Sequence, residues 1–195
     1  MYFSTMNAAE AQSRLQRLQP LLRDSLVGAH QDYLQHYSPH LRAIHTRRTK
    51  RNIVRDHAWT RIVRGIAEIP SVRVVRHRGL EVVEVGDLLL RVKYLKRGTL
   101  RASSYPTPQS RSFEGQGVIE GMPLATHADL GYVLDLAELD VDRVVVVCRN
   151  PWGIDWTLDL LHPAAEVAPI VAPAPLPNLP HRIRAEAPHR NRRNG

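Results

Sequence analysis

Six cations crowd into residues 42–55: Arg42, Arg47, Arg48, Lys50, Arg51 and Arg55. Guanidinium groups fork onto phosphate oxygens through paired hydrogen bonds, so such a cluster beside a helix start suits a nucleic-acid backbone. The same run also reads as a solvated polar face. A second set lies in a loop, where Arg101 and Arg111 flank Tyr105, Gln109 and Phe113. Aromatic rings stack on bases while arginines grip phosphates. A loop of this kind serves a peptide or protein partner equally well.

A third constellation is Glu84, Arg91 and Lys93 on one face of consecutive strand-like segments. It resembles the PD-(D/E)XK nuclease core, in which a carboxylate on one strand and an acidic-x-Lys on the next hold a metal and activate water. Position 91 is arginine where that pattern needs an acidic ligand. The resemblance implies a Mg²⁺-dependent nuclease using Glu84 and Lys93, with Asp87 or Glu81 as a further ligand. The competing reading pairs Glu84 with Arg73 across the hairpin.

Histidines His30, His36, His40, His45 and His57 gather in the helical half, but Pro39 interrupts the i,i+4 pair His36 and His40, and no cysteine assists. That is a poor zinc pattern. The single cysteine, Cys148, sits in an apolar run and reads as a small buried hydrophobe. No Ser/His/Asp order, phosphate-binding Walker loop or dinucleotide fingerprint is present.

The elements that must position these residues are legible from periodicity. Apolar residues Leu15, Leu18, Leu22, Leu26 and Ala29 predict helix over residues 8–37, broken near Pro20. Asn52 is a plausible cap for a helix from Ile53 to about Ile69, closed by Pro70. Val72–His77, Leu80–Val85 and Leu88–Leu95 read as strands joined by Arg78-Gly79 and Gly86-Asp87 hairpin turns. That register sets Arg76 against Glu81 and Arg73 against Glu84. It puts Val72, Val74, Val83, Val85, Leu88, Leu90, Val92 and Tyr94 on a core face, and Arg73, His77, Glu84, Arg91 and Lys93 on a wet one. Residues 97–123 read as a long loop, and Leu130–Leu134, Arg143–Arg149 and Ile154–Leu160 as further strands. The fold expected is α+β: N-terminal helices on an antiparallel sheet of about six strands, forming one domain over residues 8–162 (helical part 8–69, sheet part 72–161). Residues 163–195 hold seven prolines and end in a basic run, which predicts a flexible tail.

The chain has 195 residues and a formal net charge of +8, unevenly spread. Residues 40–101 carry +11 and residues 112–161 carry −7. A basic balance favours anionic partners. The acidic segment packing on the basic one is the alternative. No apolar run approaches membrane-spanning length and no signal-peptide pattern opens the chain, so a cytoplasmic protein without membrane association is expected.

The run LLLRVKYLKRG, then SYPTPQ, GMP and DLGYVLD, followed by VVVVC and a tryptophan-bearing strand, resembles an uncharacterised family of small bacterial and phage proteins. The match spans roughly residues 80–160 and rests on Arg91, Lys93, Tyr105, Pro106, Thr107, Gln109, Gly131 and Tyr132. Membership implies an operon of the toxin–antitoxin, phage-defence or stress type, beside a regulator that joins a helix–turn–helix to a metallopeptidase domain. It implies no chemistry. The reading favoured from residues and resemblance together is a nucleic-acid-binding component, more a binding module than an enzyme, needing no cofactor. It would contact DNA or RNA through Arg42, Arg47, Arg48, Lys50, Arg51, Arg55, Arg73, Arg91, Lys93, Arg101, Tyr105, Gln109 and Arg111. The alternatives are the nuclease and an adaptor that holds a regulator protein.

Overall fold

The structure, a computed structural model, describes residues 5–102 and 107–162. Tyr105 and the proline-rich stretch from residue 163 onward lie outside the described residues. Helices α1 (Ala8–Leu15), α2 (Gln19–His36), α3 (Pro39–Ile44) and α4 (Arg47–Ile66) precede strands β1 (Val72–His77), β2 (Leu80–Val85) and β3 (Leu88–Tyr94). A short helix α5 (Pro108–Glu114) then leads to β4 (Thr126–Leu134), β5 (Val141–Asn150) and β6 (Gly153–Asp159). The six strands form one sheet in chain order. None of the described helices is long and apolar enough to cross a membrane.

The helix starts follow capping chemistry. Asn7 and Glu10 make a reciprocal capping box at α1. The break near Pro20 falls at residues 16–18, and the proline occupies the first turn of α2, where its missing N–H is tolerated. Helix α2 is capped at Tyr37, and Ser38 starts α3 by accepting from the Leu41 amide. The main correction lies in α4. Its cap is Thr46, whose hydroxyl accepts from the Thr49 amide, so the helix begins six residues before the predicted Ile53. The polar run 47–52 is its first turns, since arginine and lysine are good helix formers.

The first meander has the predicted register: Arg73 lies opposite Glu84 and Arg76 opposite Glu81. Arg78 and Gly79 both take positive φ, 47° and 81°, which the tight first hairpin requires. Four of the five strand pairs are antiparallel, while β3 and β4 run parallel. The region predicted as a loop causes this difference. Between β3 and β4 a crossover carrying α5 returns the chain to the end of the sheet where β3 began.

One sheet face packs Val83, Val85, Leu88, Leu90 and Val92 against Leu22, Leu26, Val54, Ala58 and Ile62 of α2 and α4. The opposite face is not wet as predicted. Leu80, Val82 and Leu89 pack under Phe113, Ile119 and Met122 of the crossover. Leu95 and Leu100 cover Val133, Val145 and Val147. The sheet is thus covered on both sides, and Glu84 and Arg91 are buried.

Candidate functional site

The covered face holds a group of charges beneath α5. Arg91 and Asp129 are direct neighbours in the parallel register. Arg91 Nε donates to Asp129 Oδ1 at 2.8 Å and Nη2 to Oδ2 at 3.2 Å. Nη1 donates to Ser110 Oγ at 3.1 Å, Nη2 also reaches Glu114 Oε1 at 3.2 Å, and the guanidinium lies 4.5 Å from the Phe113 ring centre. Burial works against the Arg91 charge, but Asp129 and Glu114 outweigh it and hold the group protonated beyond its ordinary range. Arg91 is therefore committed to the fold, and the reading that offered it to phosphate is corrected.

Lys93 stands two register pairs further along, beside Gly131. It has no hydrogen bond or ion pair among the described residues. Burial first, and the Arg91 charge second, push its pKa down to about 8 against the pull of Asp129. Gly131 has no room for a side chain, because the Leu95 side chain occupies that space.

Arg149, at the end of β5, is nine-tenths buried. Its Nη2 donates to the Thr99 carbonyl at 3.0 Å, while its buried Nε has no partner. Burial lowers its pKa, Asp129 and Glu114 oppose that shift, and the Arg101 charge adds to it. Arg101 itself is exposed, with no side-chain partner among the described residues.

Two polar side chains seal this layer. Gln116 donates from Nε2 to the carbonyls of His127 and Arg149 at 2.7 and 2.8 Å, and accepts from the His127 amide at 2.8 Å. It bridges β4 and β5 just beyond their Ala128–Cys148 register pair. His127 stacks on Phe113 at 4.6 Å and bonds the Phe113 carbonyl through Nδ1, and burial lowers its pKa. Cys148 is buried, its thiol pushed up to about 12 mainly by burial.

The proposed nuclease ligands do not converge. Glu84 is buried and bonded to Arg73 at 2.6 Å. Glu81 belongs to the other face, where α4 supplies Arg55 at 3.1 Å and β1 supplies Arg76 at 3.0 Å. Asp87 pairs with Arg14 in the hairpin turn. Among the described residues no three His, Cys, Asp or Glu side chains are grouped to hold a metal.

The remaining predicted cations gather where α3 meets α4. Arg47, Lys50 and Arg51 share one helix side and one carboxylate, Glu138, at 3.8, 3.4 and 3.7 Å. Lys50 also donates to the Glu138 carbonyl at 2.7 Å. Arg51 lies over the Tyr94 ring at 3.9 Å and donates to its hydroxyl. Arg42 and Arg47 line a shallow groove with Tyr33, His45, Leu136 and Leu139. Arg48 is exposed without a partner among the described residues, whereas Arg55 is held by Asp56 and Glu81. Gln109 donates to the His77 carbonyl and Arg111 is exposed on α5. The acidic segment does pack on the basic one: Glu114, Glu120, Asp129, Glu138 and Asp142 each pair with a cation from residues 40–101.

Sequence reasoning missed Asp129, Glu114, Glu138 and Arg149. Asp129 and Arg149 carry a usable signal, as charged residues at the centre or end of otherwise apolar strands. No family model, no curated protein and no solved structure matches the chain.

Proposed function

We propose that the protein binds nucleic acid at the corner of α3 and α4, as the nucleic-acid-binding component of a bacterial or phage toxin–antitoxin or defence system. The observation that carries the reading is that Arg47, Lys50 and Arg51 share one carboxylate, Glu138, with Arg42 lining the same groove and Arg48 exposed on the same helix. The excess positive charge stays at the surface, where Arg47 is 81 % exposed. Phosphates arriving there would release their counterions, which makes such binding strongly salt-dependent. The place in a defence operon rests on the resemblance over residues 80–160.

The test is a mobility shift on labelled DNA and RNA across a salt series, with EDTA and with Mg²⁺. Affinity should fall steeply with salt, and the Arg47→Ala/Arg48→Ala pair should flatten the slope by about two phosphate contacts' worth, roughly 0.9 per contact on duplex DNA. Affinity indifferent to salt would overturn the reading.

A second reading has its own observation. Leu136 and Leu139, on either side of Glu138, are 89 % and 65 % exposed. Large apolar side chains beside a basic groove suit a protein partner better than a phosphate backbone. Absence of any shift, together with retention of a regulator protein that is lost in Leu136→Ser, would favour the adaptor.

A further inference from the structure

We infer that Arg149 and Arg101 form a second anion site, built to take the phosphoryl group of a nucleotide or of a nucleic-acid strand. This inference deepens the nucleic-acid reading but stands on different residues. A guanidinium taken out of water normally meets a carboxylate that replaces its lost solvation. Arg149 is nine-tenths buried, yet among the described residues its guanidinium bonds just one group, the neutral carbonyl of Thr99, and its Nε has none. The two carboxylates within electrostatic reach, Asp129 and Glu114, are both hydrogen-bonded to Arg91.

Arg101 sharpens the point. It lies two residues after Thr99, whose carbonyl Arg149 bonds at 3.0 Å, and it has no ion pair among the described residues. Two cations brought to one turn, with no carboxylate paired to either among the described residues, have an unmet demand for an anion. The segment carrying Arg101 is fixed by the Lys96 amide to Arg101 carbonyl bond, 2.9 Å, and by the Leu95–Ala102 bridge. Leu100, from the same turn, is buried against Val145 and Val147. The backbone at Arg101 is therefore held beside the carbonyl that Arg149 bonds. A phosphoryl oxygen accepts well from the fork of one arginine while the second neutralises its charge. Arg149 would set the position of the group and Arg101, on the solvent side, would close over it.

The experiment is thermal unfolding of the full chain in inorganic phosphate, in AMP, and with a short single strand bearing either a 5′-phosphate or a 5′-hydroxyl, each against chloride at matched ionic strength. Phosphate should raise Tm by about 4 °C near saturation. Arg101→Ala, which removes an exposed side chain and so should fold, should lose most of the rise. Arg149→Lys, which keeps the charge but not the fork, should also lose it. Arg47→Ala/Arg48→Ala should keep the rise even where it abolishes the mobility shift, so the two readings fail separately. Equal responses to phosphate and AMP would mark a free-phosphate or nucleotide site. A response confined to the 5′-phosphorylated strand would mark a strand end. An unchanged rise in Arg101→Ala, or no rise with any probe, overturns the inference.

Discussion

Asp129 of β4 accepts two hydrogen bonds from Arg91 of β3, across the only parallel register among the described strands, and both side chains are about 95 % or more buried. A pair in that position is destabilising to break rather than stabilising to have. Replacing Asp129 by Ala leaves a sealed guanidinium with Glu114 and Ser110 alone and should destabilise the fold by about 3–5 kcal/mol. Adding Arg91→Met should recover a large part of that loss. Urea denaturation of the two variants checks this, and a double variant no more stable than Asp129→Ala would sink it.

Lys93 should behave in the opposite way. Its folded pKa, pushed down to about 8, lies below the ordinary lysine value, so the folded state binds fewer protons than the unfolded chain at intermediate pH. The charge therefore weakens the fold at neutral pH, and stability rises as pH climbs from about 8 towards the unfolded value near 10.4. Lys93→Met should stabilise the protein at pH 7 by about 1–3 kcal/mol, and the gain should shrink above pH 8. A Tm difference between the two proteins that does not change with pH would contradict this.

Acid should loosen the layer under α5. Burial lowers the pKa of His127, and so also that of His30, below the unfolded value of about 6.5. The stability these neutral rings support is complete above that value and is lost as pH falls through the folded ones. Tm measured between pH 7.5 and 5 should decline most steeply below pH 6.5. His127 followed by proton NMR should titrate below the ordinary histidine value; a ring titrating at or above that value would refute the assignment.

Glu138 gives the nucleic-acid reading a test in the gaining direction. It is the carboxylate shared by Arg47, Lys50 and Arg51. Glu138→Gln should raise affinity for nucleic acid severalfold at fixed salt and steepen the salt dependence. Weaker binding with the fold intact would mean that Glu138 positions those cations more than it competes for them.

The first meander could be read from residues because its information is local. Arg78-Gly79 forces a tight turn, alternation fixes the faces, and each cross-strand partner lies within thirteen residues. The α4 start was hidden because the six polar residues after Thr46 carry no apolar period, although the cap and the helix formers were there. Helix α5 was hidden inside proline- and glycine-rich sequence, even though Thr107-Pro108 is a proper cap and first turn. The wet face was misread for one reason: Val82 and Leu89 were signs of a second apolar layer, and their partners Phe113, Ile119 and Met122 come after the crossover. The Arg91–Asp129 pair joins residues 38 apart, which no local pattern reveals.

Gln116 has a consequence for how the chain assembles. The meander β1–β3 and the meander β4–β6 can each form from neighbours in sequence, whereas joining β3 to β4 must close the loop of residues 95–125. The Gln116 amide ties that loop to β4 and β5 through three short bonds. All three bonds lie on the β4–β5 side of that seam, so loss of Gln116 should free the returning crossover from the second half-sheet while the first meander keeps its own ladder.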